Sequence, residues 1–150
     1  GGSLETLVFC MDEDDIKTIM KHPRTIIASD GRAVATYGQL NQGSTHPRYY
    51  GAFSRVLGKY VRDEKILSLE QAIKKMTSMP AEIMGLDNRG ILAAGKIADI
   101  TIFDPKTAGD VATFESPHNY SKGIGKVIIS GEVIIDRGKH TNKMVGRIIK

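Results

Sequence analysis

Two short apolar runs on either side of a capped helix constrain this chain more than any other feature. Glu5-Thr6-Leu7-Val8-Phe9-Cys10-Met11 and Thr25-Ile26-Ile27-Ala28 lack a polar alternation, the pattern of strands buried on both faces. Between them Asp12 is a candidate N-cap, and Asp14 and Asp15 sit at the positive end of the helix dipole. Ile16, Ile19 and Met20 then keep helical spacing until His22-Pro23 stops it. Strand, helix and strand with connections this short predict a right-handed βαβ unit with parallel strands. In such α/β architecture, functional groups collect at the C-terminal ends of strands, where Ser29-Asp30-Gly31 stands.

After a polar loop reaching His46-Pro47-Arg48, residues 49 to 67 mix aromatics, cations and glycines and are partly helical. Ser68 with Gln71 forms a capping box, and Leu69, Ala72, Ile73 and Met76 trace an apolar stripe, so residues 68 to 76 are a helix. A shorter helix runs from about Pro80 to Met84, ended by Gly85. Beyond that glycine the period becomes strand-like. Residues 98 to 105 alternate and stop at Pro105, and Ser130-Gly131 joins residues 126 to 129 to residues 132 to 136 as a hairpin. Arg147 to Ile149 is the last strand candidate. The expected fold class is therefore α/β plus β, divided into residues 1–85 and 86–150.

Composition narrows the function classes. With 21 Lys+Arg against 17 Asp+Glu among 150 residues, the net charge of +4 is mild and scattered, and no basic stripe carries interleaved aromatics, which argues against a nucleic-acid surface. No apolar run approaches the roughly 18 residues needed to cross a bilayer, so no membrane partner is expected and a cytoplasmic location is. A single cysteine, Cys10, makes neither an internal disulfide nor a CxxC zinc site, and reads as a buried small hydrophobe. The methionines read as core filler. The opening Gly1-Gly2-Ser3 reads as an expression scar, a Gly-rich loop or the point where a longer chain was cut.

Three residues are candidates for chemistry. Asp30, a carboxylate at a strand end followed by glycine, is placed as a catalytic acid, base or metal ligand, although Asp-Gly is also a common turn dipeptide. Arg48 suits an anionic substrate group, because a guanidinium clasps a carboxylate with two parallel hydrogen bonds; the alternative is an ordinary surface arginine. His46 stands two residues before it. His22, His46, His118 and His140 are too irregularly spaced for a HxH or HExxH pair, and no complete metal site is visible.

Four segments carry a resemblance: Ala28-Ser29-Asp30-Gly31, His46-Pro47-Arg48-Tyr49-Tyr50-Gly51-Ala52-Phe53-Ser54-Arg55-Val56-Leu57-Gly58, Met76-Thr77-Ser78-Met79-Pro80-Ala81 and the stretch from Arg89 to Ile100. Together they resemble the C-terminal part of the N-acyl-D-amino-acid deacylases of the amidohydrolase superfamily. The resemblance implies the end of a metal-dependent (β/α)8 barrel followed by a small antiparallel β-sandwich segment. It implies that Asp30 contacts the metal centre and serves as catalytic base and then acid, and that Arg48, with His46 beside it, binds the substrate carboxylate. It implies zinc in the intact enzyme, held by a Cys and His residues from earlier strands that have no counterpart here. The chain is accordingly expected to be inactive alone, and to need the missing N-terminal barrel portion or self-association. A non-catalytic assembly module and a dihydroorotase- or hydantoinase-like cyclic amidohydrolase are the competing readings.

Overall fold

The computed structural model describes residues 6, 8–41 and 43–149. Helix α1 (Glu13–Lys21) begins as its sequence dictates: the Asp12 carboxylate accepts from the amides of Asp14 and Asp15 at 2.8 and 3.3 Å. Helix α2 (Arg48–Arg55) runs directly into a π-helical stretch (Val56–Asp63), a rare conformation that recurs at functional sites. Helix α3 (Leu69–Met76) carries the complete capping box of Ser68 and Gln71, and α4 (Ser78–Ile83) follows at once.

The helices share one core. Val56, Tyr60, Leu67 and Ala72 are buried together, and Ile16, Met20, Ile27, Val61, Ile66 and Met76 pack around them. Charges pin α1 to the π-helical stretch over this core: Lys59 Nζ lies 2.5 Å from Glu13 Oε1, and Lys17 Nζ lies 3.1 Å from Glu64 Oε2.

The remainder is an antiparallel sheet of four strands in sequence order, β1 (Ile100–Phe103), β2 (Ile124–Ile129), β3 (Glu132–Asp136) and β4 (Lys139–His140). Between β2 and β3 the turn places Ser130 at φ 51° and Gly131 at φ 84°. Positive φ at both central residues is the tight hairpin turn whose twist matches that of the strands. The Asp99 carboxylate holds this turn by accepting from the Ser130 amide at 2.8 Å, and Gly131 N–H donates to Ala98 O at 3.0 Å.

Several expectations from the sequence are corrected. Residues 8–11 and 25–28 form no strand; residues 5 and 7 of the first run lie outside the described residues. Parallel strands need a neighbouring strand and cover on both faces, and no described strand lies beside either segment. The one interior amide of the second segment with a backbone partner, Ile27 N–H, donates instead to Lys75 O at 3.1 Å. Because residues 8–11 join no strand, Cys10 is exposed rather than buried. Met11, Met84 and Met144 are exposed, while Met20 and Met76 do fill the core. Residues 147–149 form no strand, and the place beside β3 is taken by β4, which the turn after Asp136 delivers locally.

Candidate functional site

The segment carrying Asp30 is gripped by α3. Lys75 is 5% exposed, and its ammonium donates to His22 O at 2.6 Å, Thr25 O at 2.9 Å and Thr25 Oγ1 at 3.2 Å. All three protons are used on neutral oxygens, and burial holds the Lys75 amine below its ordinary pKa. At the far end of the segment Ser29 Oγ accepts from Gly31 N–H at 3.1 Å, and Asp30 takes φ 46°. Aspartate tolerates this left-handed conformation better than most residues. The turn directs the carboxylate to the Arg48 guanidinium, 2.7 Å from Oδ2.

Arg48 opens α2. Its amide donates to His46 Nδ1 at 3.0 Å across Pro47, and its guanidinium lies over the Tyr49 ring at 5.7 Å. The His46 ring meets Phe114 edge-on at 5.1 Å, and Phe114 meets Phe9 at 4.8 Å. Burial, and then the nearby Arg48 charge, hold the His46 imidazole below its usual pKa. The unprotonated Nδ1 required by its bond to the Arg48 amide is therefore favoured. Arg48 Nε is buried with no partner, an orphaned donor in a guanidinium otherwise committed to Asp30. A cavity of about 420 Å³ begins at this group and runs between α2, α3 and the sheet past Ser29, Phe53, Met76, Phe103 and Val127.

The structure thus joins Asp30 and Arg48 as an ion pair, with His46 accepting from the Arg48 amide. Among the described residues no group of three or more His, Cys, Asp or Glu side chains could hold a metal ion. Cys10 is exposed, His118 bonds to Tyr50, and His140 Nδ1 accepts from the Asn142 amide. No described helix is long and apolar enough to cross a membrane.

Sequence reasoning missed how α2 is seated. A Cβ on Gly51 would lie 2.8 Å from Asp110 Cβ, and one on Gly58 would lie 3.1 Å from Ala108 O and Gly109 Cα. Ser54 Oγ, on the same face, lies 2.5 Å from Ser121 Oγ. Small residues at 51, 54 and 58 let the helix approach residues 108–121 closely, while Arg55 and Arg62 reach over to Asp110 and to Ala108 O. The i, i+3, i+7 spacing of small residues was the available signal. Lys75, which in sequence looks like one more surface cation, left no signal beyond its place three residues after Ala72 on the buried stripe.

Comparison with known proteins places these features in a family. Residues 8–135 match the amidohydrolase family. The chain is 38% identical over 144 residues to an N-acyl-D-glutamate deacylase of Alcaligenes xylosoxydans xylosoxydans, covering 96% of this chain and 28% of that protein. It is 39% identical over 143 residues to a D-aminoacylase of the same organism, covering 95% of this chain and 28% of the relative. The crystal structure of an N-acyl-D-glutamate deacylase from Bordetella bronchiseptica, complexed with zinc and a phosphonate inhibitor that mimics the tetrahedral intermediate, superposes with a TM-score of 0.76 at 42% identity. That superposition covers 84% of this chain and 25% of the crystallised one. The chain belongs to the amidohydrolase family. Within it the chain resembles the N-acyl-D-amino-acid deacylases, and it spans a little over a quarter of the length of the curated relatives it matches.

Proposed function

We propose that this chain is the C-terminal portion of a hydrolase that cleaves the amide of N-acyl-D-amino acids to a carboxylate and a D-amino acid. In this reading residues 1–85 supply the last βα elements of the barrel and residues 86–150 a small β domain. The observation that carries it is the 38% and 39% identity, over 96% and 95% of this chain, to an N-acyl-D-glutamate deacylase and a D-aminoacylase. Arg48, ion-paired with Asp30 in this structure, exchanges that partner for the substrate's α-carboxylate, for which its fork is suited, and so frees Asp30 to act on the water. His46 fixes the backbone from which Arg48 projects. Asp30 takes a proton from the attacking water as the C–O bond forms, then gives it to the departing nitrogen as the C–N bond breaks.

Among the described residues Asp30 stands without two further His, Cys, Asp or Glu side chains that could join it on a metal ion. Zinc, as in the Bordetella structure, is proposed for the intact enzyme, where Asp30 is the one ligand or contact this chain contributes. The exposed Val8, Phe9, Met11 and Ile26 fit a requirement for the rest of the barrel or, failing that, for a second copy.

The test is to join this chain to the upstream part of a matching deacylase and to assay release of acetate from N-acetyl-D-glutamate. We expect turnover from the joined protein and none from the chain alone. Asp30→Asn is expected to lower kcat at least about 100-fold, the usual share of a positioned acid–base group. Undiminished turnover in Asp30→Asn sinks the assignment. Absence of hydrolysis in a folded, zinc-loaded joined protein leaves an assembly module, and hydrolysis of dihydroorotate instead favours the cyclic amidohydrolases.

A further inference from the structure

Asp30 and Arg48 are adjacent in space but are separated in sequence by a polar loop, residues 31–47, with one short 3-10 turn (Gly38–Leu40). Such a loop cannot by itself hold its two ends at hydrogen-bond distance. Three side chains from elsewhere grip its backbone. Tyr50 Oη donates to Ala35 O at 2.6 Å, and the same oxygen lies 2.9 Å from His118 Nδ1. His118 Nε2 lies 2.8 Å from Gly43 O; a carbonyl only accepts, so Nε2 is the donor there, and the one Tyr50 hydroxyl proton is shared between Ala35 O and the acceptor Nδ1. Tyr120 Oη accepts from Thr36 N–H at 3.3 Å. The Tyr50 ring packs edge-on against both His118 and Tyr120, with centroids 5.7 and 5.6 Å away.

We infer that Tyr50 and His118 are positioning residues which, by pinning the loop at Ala35 and Gly43, hold Arg48 in register with Asp30. Neither touches the Asp30–Arg48 pair. Tyr50 stands two residues after Arg48 on α2, so one helix carries both the guanidinium and the hydroxyl that anchors the loop leading into it. His118 comes from the segment between β1 and β2, and through it the β-rich half of the chain sets the geometry of a site built by the helical half. The effect on substrate rests on the deacylase reading; the pinning of the loop does not.

Hydrogen exchange on the 150-residue chain separates the two. Tyr50→Phe removes one hydroxyl and keeps the ring, and His118→Leu removes both nitrogens. Each is expected to speed exchange at Ala35, Thr36 and Asn41 roughly fivefold, the usual worth of one net hydrogen bond, while β2 and β3 are unchanged. His118→Gln, which keeps a donor within reach of Gly43 O, is expected to restore part of the protection. Unchanged exchange in the loop, or acceleration spread evenly over the chain, overturns the inference. In the joined enzyme Tyr50→Phe is expected to raise KM roughly fivefold and leave kcat nearly unchanged, because Arg48 acts on substrate binding. A fall in kcat at unchanged KM overturns the positioning role, whereas a joined enzyme inactive in every form counts against the deacylase reading alone and leaves the exchange result standing.

Discussion

The helical half and the sheet half meet the same demand, satisfying backbone and burying apolar side chains, with opposite success. In the sheet every strand pairs with its sequence neighbour: Ile129↔Glu132 and Ile135↔His140 register through local turns, and Ile100↔Ile128 across the connecting residues 104–123. In the helical half the segments 8–11 and 25–28 stay unpaired, and Val8 and Phe9 are 73% and 78% exposed. Antiparallel hairpins close over a few residues, whereas parallel strands need partners brought from far along a chain. What the contrast teaches is that the half with the candidate catalytic carboxylate is the half in which, among the described residues, the apolar segments 8–11 and 25–28 find no strand to pair with.

The largest effect expected to break this comparison comes from the two cores. Tyr60→Ala, at a residue 5% exposed in the helical core, is expected to cost about 3 kcal/mol, and Ile134→Ala in β3 about 2 kcal/mol. Urea unfolding followed separately by sheet and helix signals decides whether the halves melt together; coincident shifts for both variants would show one cooperative unit and erase the contrast.

Two glycines sharpen it. Gly51→Ala drives a Cβ to within 2.8 Å of Asp110 Cβ and is expected to cost about 1–3 kcal/mol as α2 lifts from residues 108–110. Gly131→Ala has open space around it but φ 84°, and its cost of about 1 kcal/mol is conformational alone. Thermal unfolding of the pair compares a junction between halves with a turn inside one of them.

The smallest effect is a pH dependence. The His46 imidazole is held below its usual pKa in the folded chain, so between that value and about 6.5 the unfolded chain binds more protons. Stability is therefore lost as pH falls below about 6.5. His46→Asn, whose Oδ1 replaces Nδ1 as acceptor for the Arg48 amide, is expected to flatten this share of the profile. Denaturant midpoints at pH 7 and pH 5 for both proteins check it, and an unaltered slope would remove His46 from the account.

Local signals in the sequence determined the elements whose partners are close in sequence. Asp12 begins α1, Ser68 and Gln71 begin α3, and Ser130-Gly131 turns β2 into β3, each by hydrogen bonds spanning three residues or fewer, or a turn of two. The resemblance carried by residues 28–31, 46–58, 76–81 and 89–100 likewise led to the amidohydrolase family. Only the tertiary structure decided what depends on distant partners. It left residues 8–11 and 25–28 without a ladder, exposed Cys10, buried Lys75 against the 22–25 backbone and drew Arg48 onto Asp30. The physical reason is range: a cap or turn is completed within a few residues of one chain, while burial, an ion pair across a loop and a parallel strand each depend on which remote surface arrives.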